Sequence, residues 1–371
     1  MARIPPSDSP RERLDRVRLI RSQNVGPVSF RQLLLRFGSA GDALQALPEL
    51  ARQGGLRKTL RICSSEFAAR EVDSLEKLGA SQIIIGDPGY PPHLASVPDA
   101  PPVLSVLGDA EMLRRVGVGI VGARNASTNG RRFAETLGRD LAQAGVAVVS
   151  GLARGIDTAA HSGALEAGTV AVLAGGVDNI YPKENAGLYA AIRERGAIVS
   201  EMPPGTEPQA RHFPTRNRII SGLSLGIVVV EAALRSGSLI TARLAGEQGR
   251  EVFAIPGSPL DPRARGANAL IRNGATLAEN AEDVLEGIRP MLDNQLDEPD
   301  METFRHADAD SAERDAVRAT ILECLGPTPV KVDDVLRDTK FSASTVWMIL
   351  LELELAGRLE RLPGGRVALL V

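Results

Sequence analysis

The segment Arg211-His212-Phe213-Pro214-Thr215-Arg216-Asn217-Arg218 gathers three arginines, one histidine and one aromatic ring, with no carboxylate among them. Guanidinium groups fork onto phosphate oxygens, an aromatic face stacks an unpaired base, and a side-chain amide such as that of Asn217 bonds a base edge or a neighbouring loop. An aromatic set between cations is the chemistry that a single nucleic-acid strand needs. The plainer reading is a structural turn whose arginines pair with Glu201 and Glu231. That pairing accounts for one or two of the arginines but not for all three.

Other Gly-rich segments offer related groups. Gly122-Ala123-Arg124-Asn125-Ala126-Ser127, with Gly130 beyond, follows a Val/Ile-rich run. Arg124 is a fork for a phosphate there, and a helix start supplies N–H donors for an anion. In Ser150-Gly151-Leu152-Ala153-Arg154-Gly155-Ile156-Asp157, the glycines permit a close turn and Asp157 is expected to cap the next helix. Asp157 and His161 would make two metal ligands without a third, so capping is preferred and no metal is expected. Glu231 and the following Arg235-Ser236-Gly237-Ser238 form another such loop. Gly122, Asn125, Gly151, Ser236 and Gly237 are the candidate phosphate-contacting loop positions.

Catalytic constellations are not evident. No Ser/His/Asp order, nucleophile elbow or paired-carboxylate motif can be assigned, and His93, His161, His212 and His306 are scattered. GVGIVG at 117–122 matches G-x-G-x-x-G, but its central residues read as the strand itself, whereas the fingerprint should follow a strand. The next strand ends in Val149-Ser150-Gly151 with no acidic residue for a ribose, and no P-loop is present. No nucleotide cofactor is expected.

These loops need a scaffold that brings their ends together. Val118–Val121, Val146–Val149, Val170–Leu173, Ala197–Val199, Ile227–Val230 and Val252–Ile255 are short runs apolar at alternate and intervening positions, as in buried parallel strands. Segments of helical composition such as Arg131–Ala144 and Leu239–Gln248 lie between them. The alternation predicts a Rossmann-like, doubly wound α/β sheet over 81–290, with ligands beyond the carboxyl ends of its strands.

The flanks read differently. Within 1–80, Leu14, Val17 and Ile20 have helical spacing, Asn24-Val25-Gly26-Pro27 breaks the pattern, and Phe30, Leu33, Leu34 and Phe37 mark a second inward face. Asp42 to Leu47 starts a third helix. Helix, Gly-Pro turn and helix suggest a SAM-like or helix-hairpin-helix unit, whose turn can bind phosphate through helix N-terminal N–H groups; simple helical packing is the alternative. Residues 316–371 give helices at Ala316–Cys324, Val332–Arg337 and Ala343–Ala356, then strands at Leu359–Leu362 and Val367–Leu370 around Gly364-Gly365, the layout of a winged helix. Its third helix should enter a major groove. Yet it holds Glu352 and Glu354 and no Lys or Arg, which favours a packing or partner-binding role over groove reading.

Charge is uneven across these parts. The net of −3 conceals 14 Lys/Arg against 9 Asp/Glu in 1–80, and 2 against 9 in 291–315, which reads as an acidic linker. With 43% hydrophobic residues a wholly disordered chain is excluded. Cys63 and Cys324 stand far apart and suit a reducing compartment. No transmembrane run and no secretory signal is evident, so the expected location is the cytoplasm.

Taken together, VGIVGARNAS, VVSGLARGIDTAAH, GGVDNIYPKEN, SEMPPGTEPQARHFPTRNRIISGLS, VVVEAALRSGSLITARLAGEQGREVFAIPG and GANALIRNGA resemble the DprA/Smf family of DNA-processing proteins of bacterial natural transformation, in the family's order from about residue 118 to 274. The flanking units resemble its accessory domains. The resemblance implies a binding protein rather than an enzyme, one that binds and protects incoming single-stranded DNA, helps load the RecA recombinase and acts as a homodimer. It places the DNA-binding pocket on Arg124, Arg211, Phe213, Arg216, Asn217 and Arg218. Some relatives carry a lysine three residues before the phenylalanine, where this chain has Ala210 beside Arg211. The competing reading is a nucleotide phosphoribohydrolase, but the P-G-G-x-G-T-x-x-E loop of those enzymes is replaced here by EAALRSGSLIT. A winged-helix transcription regulator is a third class, opposed by the acidic third helix.

Overall fold

The computed structural model describes residues 4–293, 311–362 and 364–370. The chain divides into two compact units, one of residues 70–297 and one that combines 1–69 with 298–371.

The N-terminal segment is helical because its helices start at a capping serine or at a proline and carry apolar stripes. Helix α1 (Pro10–Arg21) begins at Ser9, whose hydroxyl accepts the Glu12 N–H. Helix α2 (Pro27–Phe37) starts on a proline, which lacks the N–H that would be orphaned there. Helix α3 (Ala40–Gln53) is capped by Ser39. Val17, Phe30, Leu33 and Leu34 are buried as the spacing predicts. Leu14, Ile20 and Phe37 are only half-buried, and Leu19 is buried on α1 as well. Helix α4 (Ser65–Leu78) follows.

A nine-stranded sheet organises residues 70–297. Strand β1 (Ser81–Ile84), the short helix α5 (Pro92–Ala95) and β2 (Val103–Gly108) come first. The doubly wound part follows as β3 (Gly117–Val121), α6 (Thr128–Gln143), β4 (Ala147–Ser150), α7 (Ile156–Ala164), β5 (Thr169–Val172), α8 (Ala186–Arg195), β6 (Ala197–Ser200), α9 (His212–Gly222), β7 (Gly226–Val229), α10 (Gly237–Glu247) and β8 (Glu251–Ala254). Helix α11 (Arg265–Arg272), β9 (Thr276–Leu277) and α12 (Ala281–Asp293) complete it. The strand order is β1-β2-β6-β5-β4-β3-β7-β8-β9, with β6 to β9 mutually parallel and β2 antiparallel to both neighbours.

All six strands predicted from apolar runs are present, within one or two residues. Strands β3 to β7 are buried throughout, since helices cover both faces. On one face α6, α7 and α12 bury Leu137, Leu141, Ala160, Val284 and Ile288 against Ile120, Val148, Val228 and Phe253. On another part of the sheet, Tyr189 and Ile192 of α8 pack with Leu107, Ala171 and Ile198. GVGIVG is the buried strand β3 and its end, and a Cβ on Gly119 would strike Ile227.

The C-terminal part contains α13 (Ser311–Cys324), β10 (Val330–Lys331), α14 (Val332–Thr339), α15 (Ala343–Leu355), β11 (Leu359–Leu362) and β12 (Arg366–Leu369). The three strands pair in the order β10-β12-β11. Ile321, Val335, Val346, Ile349, Leu350, Leu353 and Val367 form its core. This is the predicted winged helix with one additional short strand. Helix α12 reaches Asp293 and α13 begins at Ser311; the rest of the expected acidic linker, 294–310, lies outside the described residues.

Candidate nucleic-acid interface

The loops that leave β3, β4 and β5, together with the start of α9, enclose a cleft of about 310 Å³. It is lined by Arg124 and Asn125, Gly151, Ala153 and Arg154, Tyr181 and Pro182, and Phe213. All these groups lie beyond strand carboxyl ends, where a doubly wound sheet leaves room because consecutive connections diverge.

Phe213 is the centre of the arrangement. The Arg124 guanidinium stands 5.1 Å from its ring centroid and that of Arg216 6.0 Å. Tyr181, half exposed, meets the same ring at 5.8 Å with the planes tilted by 58°. A cation over an aromatic face is attracted by the ring quadrupole, which fixes the ring while leaving surface for a further stacked group.

Arg216 supports this floor from below. It is buried, and its Nη1 donates to the Gly151 carbonyl at 2.7 Å and to the Val172 carbonyl, tying the ends of β4 and β5 to α9. Burial pulls its pKa down to about 10, opposed by the nearby Asp157 carboxylate and helped by Arg124. Gly151 is required by this contact, because a Cβ there would lie 2.3 Å from Arg216 Nη1. The Nε of Arg216 is buried without a hydrogen-bond partner.

The β4–α7 loop is held in an uncommon conformation. Leu152 is fully buried at φ +52°, a region that costs a non-glycine residue about 1–3 kcal/mol and needs surrounding contacts to persist. His161 Nε2 accepts the Leu152 N–H at 3.3 Å, and Asn185 Nδ2 donates to the Leu152 carbonyl at 2.9 Å. Thr169 Oγ1 donates to the Val148 carbonyl and lies 2.7 Å from His161 Nδ1, so the imidazole carries its proton on Nδ1. Burial, then the Arg216 charge, push the His161 pKa down to about 3. Asp157 accepts the N–H groups of Gly151 and Ala153 at 3.1 and 3.3 Å. Burial pushes its pKa up, against the pull of Arg216 and of those N–H groups. Asp157 is thus not the cap of α7, whose N-cap is Gly155; its carboxylate and the His161 ring serve the preceding loop. Among the described residues no group of three or more His, Cys, Asp or Glu could hold a metal ion.

The remaining candidates are dispersed. Arg211 is exposed at the start of α9. Asn217 is half-buried and its Nδ2 reaches the Gly237 carbonyl at 3.5 Å. Arg218 is buried, with Nη2 at 2.5 Å from Glu201 and Nε at 3.6 Å from Asp99. Its charge is thus engaged inside the protein, as the structural-turn reading expected for one arginine. Glu231 does not pair with an α9 arginine. Its carboxylate accepts the Ser127 N–H at 2.9 Å and the Ser127 hydroxyl at 2.5 Å. The start of α6, where an anion was expected, therefore already carries the protein's own carboxylate.

Gly122 packs against α7, where a Cβ would lie 2.6 Å from Ile156, while Asn125 and Gly151 line the cleft. Ser236 caps α10 through the Ser238 N–H, and nothing lies within 4 Å of a Cβ built on Gly237. Arg154 and Tyr181 are cleft residues beyond those the sequence points to, and the signal for both is their place in Gly-rich strand-end segments. Arg154 is exposed and pairs with Glu184, Nη2 to Oε2 at 3.0 Å.

Residues 81–289 match the family model described as DNA recombination-mediator protein A, which covers more than half of the chain. The chain belongs to this family. Its flanks match the DprA-like N-terminal HHH domain at 10–74 and the DprA winged helix domain at 305–365. Among curated proteins, Smf of Escherichia coli is 43% identical over 76% of this chain and 75% of its own length. DprA of Streptococcus pneumoniae is 46% identical over 68% of this chain and 90% of its own. The X-ray structure of S. pneumoniae DprA superposes with a TM-score of 0.61 at 35% identity, covering 73% of this chain and 95% of that one. DNA processing protein A of Helicobacter pylori, whose structure was described for its single-stranded DNA binding mode, superposes with a TM-score of 0.52 at 30% identity, over 58% of this chain and 96% of that one. No helix among the described residues is long and apolar enough to cross a membrane.

Proposed function

We propose that the cleft binds single-stranded DNA, and that this member of the DNA recombination-mediator protein A family protects incoming strands and helps load RecA onto them during natural transformation. The observation that carries the reading is the Phe213 ring held by Arg124 and Tyr181 at the carboxyl edge of the sheet. A ring so held offers a stacking platform to any base, and Arg124, Arg154 and the exposed Arg211 supply cations for the backbone. The protein acts as a binding protein rather than an enzyme, in the cytoplasm and as a homodimer. Arg216 is a positioning residue beneath the platform, and Arg218 belongs to the scaffold.

The likeness to the H. pylori protein described as binding single-stranded DNA supports this reading. The test is RecA filament nucleation on single strands already covered by a single-strand binding protein. Addition of this protein should shorten the lag, and Phe213→Ala should not. An unchanged lag with the wild type overturns the loading role, and a shortened lag with Phe213→Ala overturns the cleft as its site.

A further inference from the structure

Helix α15 is apolar on more than one face. Val346, Ile349, Leu350 and Leu353 enter the winged-helix core. Leu351, Leu355 and Ala356 lie outside that core and are nevertheless buried, at 2%, 0% and 7% exposure. A helix buried all round has a second partner. Here the partner is the N-terminal segment, which belongs to the same compact unit, since α15 packs on α3 and α2.

The fit is close and specific. A Cβ on Gly54, at the end of α3, would lie 1.9 Å from the Glu352 carbonyl oxygen and 2.9 Å from the Ala356 Cβ. Asn24 Nδ2 donates to the Leu355 carbonyl at 3.0 Å, and Arg36 reaches the Met348 sulfur. A Cβ on Gly26, the N-cap of α2, would lie 3.3 Å from Oε1 of Glu354. The Glu354 carboxylate thus stands beside the Asn24–Pro27 turn, at the positive end of α2. Both acidic groups of α15 are balanced, Glu352 by Arg318 at 2.6 Å and Glu354 by Arg361 at 2.7 Å.

We infer that α15 is a docking helix whose partner is the N-terminal helical segment of the same chain, and that this contact covers the hairpin turn Asn24–Pro27, the phosphate-binding candidate of that segment. The winged helix presents no groove-reading face over Ile349–Ala356. The hairpin turn faces a carboxylate where a phosphate would sit. This interface shares no residue with the cleft around Phe213.

The test uses the full chain. Gly54 has φ −69° and ψ −7°, so a leucine fits the backbone and acts only as a wedge against Glu352. Gly54→Leu should speed hydrogen exchange at least tenfold in peptides covering 349–356 and 24–34, with β3 and α6 unchanged. Unchanged exchange in 349–356 overturns the docking. In the otherwise wild-type chain, a photoreactive side chain at Met348 should cross-link to peptides of α2 or α3 in the monomer band of a denaturing gel. Cross-links confined to residues 311–370, or found only in a dimer band, overturn it.

Discussion

The guanidinium of Arg124 lies 5.1 Å from the centre of the Phe213 ring, although the two residues arise from different elements. Arg124 leaves the end of β3, and Phe213 opens α9 after β6. Parallel strands place both at one edge of the sheet, and the stack holds a ring and a cation side by side, the pair that the proposed single strand of alternating bases and phosphates requires.

Removal of the ring tests the platform. Phe213→Ala is expected to weaken single-strand binding by about 1–3 kcal/mol, which is the usual worth of one base–aromatic stack. Fluorescence anisotropy measures it. The ring is half-buried, so circular dichroism should remain that of the wild type.

Arg216 has a different role and a different signature. Arg216→Ala leaves the Gly151 and Val172 carbonyls and the Asp157 carboxylate buried without their cation. The expected loss is about 3 kcal/mol of stability, which is roughly 6–12 °C in Tm for a unit of this size. Thermal denaturation checks this. A full loss of binding with unchanged Tm would instead make Arg216 a direct contact.

His161 gives the fold an acid limb. Its folded pKa is held at about 3, below the usual imidazole value of 6.5, so the unfolded chain binds the extra proton between those values. Its contribution to stability is complete above pH 6.5 and falls as pH drops from 6.5 towards 3. Asp157, whose pKa burial raises, contributes in the opposite sense. His161→Gln removes only the histidine's contribution. Denaturation at a series of pH values should show a shallower slope between pH 6.5 and 4 in the variant.

Deletion of 316–371 should leave most single-strand affinity, because the cleft is built wholly from 70–297. The same deletion uncovers the α3 surface around Gly54 and should lower the stability of the N-terminal segment. Near-complete loss of binding would assign DNA contact to the winged helix.

The doubly wound core was legible because strands buried on both faces must be apolar at every position, and six such runs stand in the sequence. Strands β1 and β2 were not assigned: antiparallel pairing joins Ser81 to Val106 and Ser105 to Ser200 without a helical crossover to announce it. The site was legible as a list of cations, not as a division of labour. Arg216 and Arg218 stand two residues apart on α9, yet one meets backbone carbonyls and the other Glu201 and Asp99. Only the packing around α9 separates them. Sequence does not reveal Tyr181, whose neighbour Phe213 is distant along the chain, nor the Glu231–Ser127 pair, which forms only through the adjacency of β3 and β7.

Arg124 and Phe213 together form the proposed single-strand site. Anisotropy with labelled single-stranded and duplex oligonucleotides, on the wild type and Arg124→Ala over a range of salt concentrations, tests it most directly. The wild type should prefer the single strand, and Arg124→Ala should bind it more weakly, with a salt slope shallower by about 0.7 for the lost phosphate contact. A duplex preference, or equal affinity and equal salt slope in the two proteins, would contradict the account.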